Sequence, residues 1–153
     1  MKARMNFFKA SPGATQAMLD LTQYVKDCGL EASLQELVKL RASQINGCAY
    51  CIDMHSLDAR ALGETEQRIY CLSTWRECPF YTERERAALE WTEALTLITE
   101  GHVPDEVYDR ARTQFSEEEL VQLSLAIVTI NAWNRIAISF RSVPGHYKPT
   151  HAK

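Results

Sequence analysis

Four residues have side chains and spacing that could perform thiol chemistry: Glu36, Cys48, Cys51 and His55. If Cys48 opens a helix, Cys51 lies one turn further along the same face, within reach of a disulfide. His55 then follows Cys51 by four positions, which places an imidazole one turn beyond the thiol. The spacing therefore predicts a dithiol with a neighbouring base.

A helix N-terminus favours a thiolate over a thiol, and a nearby histidine supplies the proton acceptor that a thiol nucleophile needs. Glu36, on the preceding predicted helix, could orient His55 or complete a proton relay. A nucleophile, a resolving thiol and a base are the parts of a redox cycle. On spacing alone the prediction is a redox dithiol.

Other interpretations of the cysteine pair compete with this one. Structural zinc takes four ligands, commonly from two separated pairs, but Cys48, Cys51 and His55 with one further ligand remain an alternative. Haem attachment needs a histidine directly after the second cysteine, where Ile52 stands. A thioredoxin-type motif needs a βαβ setting. Two buried structural cysteines are the remaining possibility.

The elements that must position these residues all follow helical patterns. Capping boxes are predicted at Ser33/Glu36, Thr82/Glu85 and Ser116/Glu119, and Gly47 breaks the pattern directly before Cys48. The fold class predicted is all-α, a compact domain of about six to seven helices. They are expected over about residues 13–28, 33–46, 48–62, 64–76, 82–101, 104–114 and 116–140, the last apolar nearly all round and so central.

Length and composition set the limits for function. The 153 residues fit one domain, with a loose tail from about residue 144 to residue 153, and the net charge of −3 gives no sign of nucleic-acid or membrane binding. The stretch 120–140 carries too many polar residues for a typical membrane span, and no secretory signal is recognised, so we expect a cytoplasmic protein. Five cysteines, an odd number, argue against a structural disulfide framework.

Residues 36–55, ELVKLRASQINGCAYCIDMH, closely resemble the core of the alkylhydroperoxidase D-like (AhpD-like) proteins, within the wider carboxymuconolactone decarboxylase family. The shared pattern is Glu-x11-Cys-x2-Cys-x3-His. The resemblance extends over most of the chain, including residues 75–77 and 131–135. It implies an all-helical fold assembled as a homo-oligomer, a trimer or a hexamer.

The resemblance also implies roles for the four residues. Cys51 would attack hydrogen peroxide or an organic hydroperoxide and become a sulfenic acid, which Cys48 would resolve to a disulfide. Glu36 and His55 would form the relay that deprotonates Cys51. An external dithiol, a thioredoxin-like or lipoyl-type carrier, would restore the thiols, and no metal, flavin or haem cofactor is expected.

One departure from the family pattern concerns Tyr50, which stands where better-studied members carry a second histidine. With a pKa of about 10, tyrosine is a poor base near neutral pH. Two alternative functions remain. One is a lyase like those of the decarboxylase branch of the family, and the other is a non-catalytic redox-sensing oligomer.

The other reactive side chains are expected to be structural or to have no role in the chemistry. They are Cys28, Cys71, Cys78, His102, His146, His151, Trp133 and Arg135.

Overall fold

The computed structural model describes residues 2–149, which form helices and no strand. The helices are α1 (Phe7–Ala10), α2 (Pro12–Asp27), α3 (Ala32–Asn46), α4 (Ala49–Ala61), α5 (Glu66–Cys71), α6 (Glu83–Thr96), α7 (Asp105–Gln114) and α8 (Glu117–Phe140), with 3-10 turns at Leu72–Glu77 and Ile98–Glu100. The all-α prediction is confirmed. Each of the seven expected helices has a counterpart, and the short α1 is an addition that the sequence pattern did not predict.

Two predicted helices are shorter than expected. The helix expected over residues 64–76 changes to a 3-10 turn after Cys71, and Thr74 leaves the helical region at φ −119°, ψ 27°. The Thr74 hydroxyl donates to the Cys71 carbonyl across 3.1 Å, a local bond that competes with the helical ladder. The helix expected to reach Gly101 ends at Thr96, and a 3-10 turn follows it.

Two of the three predicted capping boxes are confirmed, at Thr82/Glu85 and Ser116/Glu119. The one at Ser33/Glu36 was wrong. The helix begins one residue earlier, at Ala32, so Ser33 already lies in the first turn and its side chain does not cap. Glu36 is thereby left for contacts elsewhere in the molecule.

Helix α3 is the central element that carries the site. It packs against α4, α6 and α8, and Leu37, Val38 and Leu40 have no exposed surface. Burial of such a side chain stabilises the fold by about 1.5–3 kcal/mol. The candidate catalytic residues on α3 and α4 are therefore held by a buried, well-packed helix.

The turn between α3 and α4 depends on Gly47. It adopts the left-handed conformation, φ 67° and ψ 32°, and caps α3 through its N–H to the Gln44 carbonyl. A side chain is strained in this conformation, whereas glycine is not. The Cys48 N–H then donates to the Ser43 carbonyl across 3.0 Å, which places Cys48 at the start of α4 against the end of α3.

Helix α8 packs against α2, α3, α4, α6 and α7. In the described part of the chain it is the one helix whose length and apolar composition would suffice to cross a membrane, a property that core helices of water-soluble proteins share. Its burial is one-sided, since Val121, Val128 and Ile138 are exposed. The helix is therefore central to the packing, as expected, but one of its apolar faces is exposed.

The described part of the C-terminal tail, residues 144–149, has neither helix nor strand. Two hydrogen bonds nevertheless tie it to α4. The Gly145 N–H donates to Asp53 across 2.8 Å, and the Tyr147 hydroxyl donates to the Asp58 carboxylate across 2.9 Å. The tail is thus anchored beside the candidate site up to Tyr147.

Candidate active site

The two cysteines of the motif lie together at the start of α4. Cys48 is the N-cap residue, and its Sγ accepts the backbone N–H of Cys51 across 3.4 Å. Their exposed fractions are 1% for Cys48 and 2% for Cys51, and both are free thiols. The apolar side chains of Ala42, Ile130 and Ala137 pack around the pair.

The environment distributes the charge unequally between the two thiols. The hydrogen bond from the Cys51 thiol, opposed by burial and helped by the Cys51 N–H, lowers the pKa of Cys48 to about 7. The same hydrogen bond, together with burial and the charge on Cys48, raises the pKa of Cys51. The first proton therefore leaves Cys48. The sequence predicted a thiolate at a helix N-terminus, and the structure assigns that stabilisation to the N-cap cysteine.

Glu36 and His55, predicted as a pair from sequence, are brought into contact across α3 and α4. His55 Nδ1 lies 2.7 Å from Glu36 Oε2, and Lys39 Nζ lies 2.9 Å from Glu36 Oε1. Burial alone would raise the pKa of Glu36, but the bond to His55 and the charges of His55 and Lys39 lower it to about 2. Glu36 is thus an anion that fixes the imidazole.

Asp58 and Tyr147 extend this pair, and the sequence reasoning missed both. The side-chain oxygen and nitrogen atoms of Glu36, His55 and Asp58 lie within 4.8 Å of one another. Within residues 2–149, these three residues are the single group that could bind a metal ion. Both oxygens of Glu36 already have partners in Lys39 and His55. Burial raises the pKa of Asp58, and the bond from Tyr147 opposes that shift. The set considered for zinc, Cys48, Cys51 and His55, does not form such a group among the described residues.

A cavity of about 650 Å³ opens onto the thiol site, and its lining is mainly apolar. Cys51, His55, Tyr50 and Lys39 contribute to the lining, whereas Cys48 does not. Most of the remaining wall comes from the N-terminal segment, α2 and α8. Its apolar residues include Phe7, Phe8, Leu19, Ile130, Trp133 and Phe140. A molecule in this cavity would therefore meet Cys51 first.

Asn134 of α8 is a further site residue that the sequence analysis did not single out. It has no exposed surface, its Oδ1 accepts from Asn46 Nδ2 across 2.8 Å, and its Nδ2 donates to Ser43 Oγ across 3.1 Å. The signal in the sequence is an asparagine within an apolar helix, since a buried amide requires partners.

The residues expected to be structural lie apart from the thiol pair, with one exception. Cys28, Cys71 and Cys78 are half-buried, and His102 and His146 are exposed, while His151 lies outside the described residues. Trp133 lines the cavity and donates to the Thr22 hydroxyl across 2.9 Å, so its role includes shaping the site. Arg135 hydrogen-bonds the amide oxygen of Asn131.

Comparison with known proteins places this geometry in a family. The crystal structure of ATU0492 from Agrobacterium tumefaciens, a protein of unknown function and candidate AhpD antioxidant defence protein, superposes with a TM-score of 0.93 at 49% identity, covering 95% of this chain and all of that one. Protein YdfG of Bacillus subtilis is 50% identical over 139 residues, 91% of this chain and 95% of its own. The debrominase Bmp8 shares the fold alone, with a TM-score of 0.78 and 21% identity over 91% of this chain and 75% of its own.

The likeness to the candidate AhpD protein over 95% of this chain shows that the helical domain is AhpD-like. The family model of the carboxymuconolactone decarboxylase family matches residues 12–94, and the chain belongs to that family. Proteins with this fold include enzymes, among them the debrominase and others described as peroxidase-related.

Proposed function

We propose that this protein is a dithiol peroxidase that reduces organic hydroperoxides, and hydrogen peroxide less well, through Cys51 and Cys48. The observation that carries the proposal is a buried thiol pair of which one member, Cys51, opens onto a large apolar cavity that His55 also lines. The family and its peroxidase-related structures support the same class of chemistry.

The proposed reaction starts from a Cys48 thiolate and a Cys51 thiol. The hydrogen bond between them allows the proton to pass from Cys51 to Cys48, leaving the nucleophilic thiolate at the cavity. Cys51 Sγ attacks the terminal oxygen of the hydroperoxide, the O–O bond breaks, and the alkoxide takes the proton from Cys48. Cys51 becomes a sulfenic acid and the product is an alcohol.

In the second step the regenerated Cys48 thiolate attacks Cys51 Sγ. The S–O bond breaks, a Cys48–Cys51 disulfide forms, and the departing hydroxide is protonated to water. An external dithiol of the thioredoxin-like or lipoyl type then supplies two electrons and two protons by thiol–disulfide exchange. We further propose a cytoplasmic homo-oligomer, a trimer or a hexamer, as the working form.

Glu36 and His55 supply the proton for the departing hydroxide in this scheme. Glu36 occupies Nδ1 of the imidazole, so Nε2 remains to exchange a proton with the cavity. Because the pKa of Glu36 is about 2, this carboxylate stays charged and keeps Nδ1 of the imidazole hydrogen-bonded. Tyr50 lines the same cavity, and burial raises its pKa, so a role as a base is not part of the proposal.

The direct test is to mix the reduced protein with a slight excess of cumene hydroperoxide. Two thiols per chain should be consumed, and a Cys48–Cys51 disulfide should appear in the peptide map. Cys51→Ser should abolish the reaction, and Cys48→Ser should stop at a sulfenic acid that dimedone traps. Cys28→Ser is the matched control, because Cys28 is also a free thiol but lies outside the cavity lining.

Three results would overturn the proposal. An unchanged rate in Cys51→Ser would remove the nucleophile from the scheme. An activity that survives replacement of both cysteines would support the lyase alternative, whereas an oxidation that only changes the size of the assembly would support the redox-sensing oligomer.

A further inference from the structure

Asn134 lies on the face of α8 that packs against the cysteine pair. Ile130 precedes Asn134 by four positions on α8 and Ala137 follows it by three, so all three share one helix face. Ile130 and Ala137 both belong to the cluster that encloses Cys48 and Cys51. Asn134 lies between them and is fully buried.

The orientation of the Asn134 amide is fixed by its two polar neighbours. The Ser43 hydroxyl donates its hydrogen to the Lys39 carbonyl across 2.7 Å, so its oxygen is left to accept from Asn134 Nδ2. Asn46 Nδ2 donates to Asn134 Oδ1. The amide nitrogen of Asn134 has two hydrogens, and Ser43 uses one of them.

Arg135 and the Ile127 carbonyl together fix the direction of the Asn131 amide, which adjoins Asn46. A guanidinium can only donate, and Arg135 Nη1 donates to Asn131 Oδ1 across 3.0 Å. Asn131 Oδ1 also accepts from Asn46 Nδ2 across 2.9 Å, and Asn131 Nδ2 donates to Thr96 and to the Ile127 carbonyl. Asn46 must therefore direct its amide nitrogen toward Asn134. Asn134 then accepts with its amide oxygen, so its amide nitrogen points away from Asn46.

We propose that the second amide hydrogen of Asn134 donates to the sulfur atoms of Cys48 and Cys51, and that Asn134 is the side chain that stabilises the thiolate of this pair. It would act alongside the Cys51 backbone N–H, which donates to Cys48 Sγ. Two fixed donors in an apolar pocket stabilise an anion more strongly than they would in water. The catalytic consequence rests on the proposed dithiol chemistry, whereas the stabilisation of the thiolate does not.

The electrostatics of the two thiols agree with this role. The pKa of Cys48 depends mainly on the partner thiol and on burial, and the hydrogen bond from Asn134 lowers it further. The pKa of Cys51 is raised by the partner thiol and by burial, and the hydrogen bond from Asn134 opposes that rise. The other titratable groups at this end of the cavity are His55 and Tyr50 on α4 and Lys39 on α3. The substitutions below leave these three groups in place.

The experiment measures the pKa of the thiol pair without any peroxide. Cys28, Cys71 and Cys78 are replaced by serine so that alkylation by iodoacetamide reports on Cys48 and Cys51 alone. In that background, Asn134→Leu removes the donor without adding charge, and Asn134→Asp replaces the donor with an acceptor. We expect both to raise the first thiol pKa from about 7 by about one unit, which lowers the alkylation rate at pH 7 about fivefold.

Ser43→Ala is the matched control, because it removes a neighbour of Asn134 and keeps the amide; we expect a far smaller change. Asn134→Ala, which removes the donor and adds no bulk to the pocket, is the second variant if Asn134→Leu does not fold, and it should also raise the thiol pKa. An unchanged thiol pKa in Asn134→Leu overturns the proposal. This holds even if Asn134→Asp raises the thiol pKa, because the added carboxylate would then act by charge repulsion alone. If Asn134→Ala is the only readable variant, an unchanged pKa there overturns the proposal. Failure of the peroxidase assay would leave these results unaffected.

Discussion

The backbone N–H of Cys51 donates to the Sγ of Cys48 across 3.4 Å, so the N-terminus of α4 stabilises negative charge on Cys48. Cys51, one turn further along, is the thiol that reaches the cavity. The lower thiol pKa and the access to substrate therefore belong to different residues. In the proposed reaction a proton transfer between the two sulfurs joins these properties.

The first prediction concerns the hydrogen bond between the two thiols. Cys51→Ala removes the S–H donor to Cys48 but keeps the backbone N–H, so the pKa of Cys48 should rise from about 7 toward the ordinary value of about 8.5. Absorbance at 240 nm against pH, in a background without the other three cysteines, measures it. A midpoint that stays near 7 would show that the Cys51 thiol does not stabilise Cys48.

A second prediction follows from the depressed pKa of Glu36. A carboxylate whose folded pKa is about 2 stabilises the fold fully above its unfolded pKa of about 4.3, and that stabilisation is lost as the pH falls toward 2. At pH 6 the free energy of unfolding of the native protein should be higher than that of Glu36→Gln by up to roughly 3 kcal/mol. This difference in free energy should become smaller at pH 3. Urea titrations at both pH values test this, and a gap independent of pH would refute it.

The third prediction uses the cavity wall. Leu19 lines the cavity and its exposed fraction is 42%, so Leu19→Trp should fill part of the space without disturbing the core. We expect kcat/KM for cumene hydroperoxide to fall roughly tenfold, the effect of about 1.4 kcal/mol, with a much smaller change for hydrogen peroxide. Leu62→Trp, equally exposed but outside the cavity lining, is the control. Equal losses for both peroxides would argue against substrate binding there.

The fourth prediction concerns the anchored tail. Tyr147→Phe removes the hydrogen bond to the Asp58 carboxylate and should lower the free energy of unfolding by about 1 kcal/mol. Tyr70→Phe is the matched control, since its hydroxyl also bonds a carboxylate, that of Glu66, but the side chain is 72% exposed. Chemical denaturation should show almost no effect there, and equal effects in the two variants would mean that the tail is not held through Tyr147.

The fifth prediction separates a real helix cap from an apparent one. Ser116→Ala removes the hydroxyl oxygen that accepts the backbone N–H of Glu119 at the start of α8. This change should lower the free energy of unfolding by about 1 kcal/mol. Ser33→Ala should be neutral or slightly stabilising, because Ser33 lies inside α3 and alanine is the better helix former. Thermal melts of the two variants provide the comparison. A destabilised Ser33→Ala would restore the predicted cap.

The sequence alone determined the fold class, the helix order and the four motif residues. Helical periodicity, capping residues and Gly47 are local signals, so they survive without knowledge of the tertiary fold. The spacing of Cys48, Cys51 and His55 is likewise local, because all three lie within the N-cap and the first two turns of a single helix. Ser33 shows the limit of such signals, since a capping pattern one residue inside a helix looks the same in the sequence.

The tertiary structure decided everything that depends on residues distant in the chain. The contact of Glu36 with His55 joins two helices, and Tyr147 reaches Asp58 from the tail. Asn134 of α8 bonds Ser43 and Asn46 of α3. The lowered pKa of Cys48 and the opening of Cys51 onto the cavity also arise from packing, because burial and hydrogen-bond geometry set both. The sequence named the cysteine pair, and the packing of α3, α4 and α8 gave its two members different surroundings.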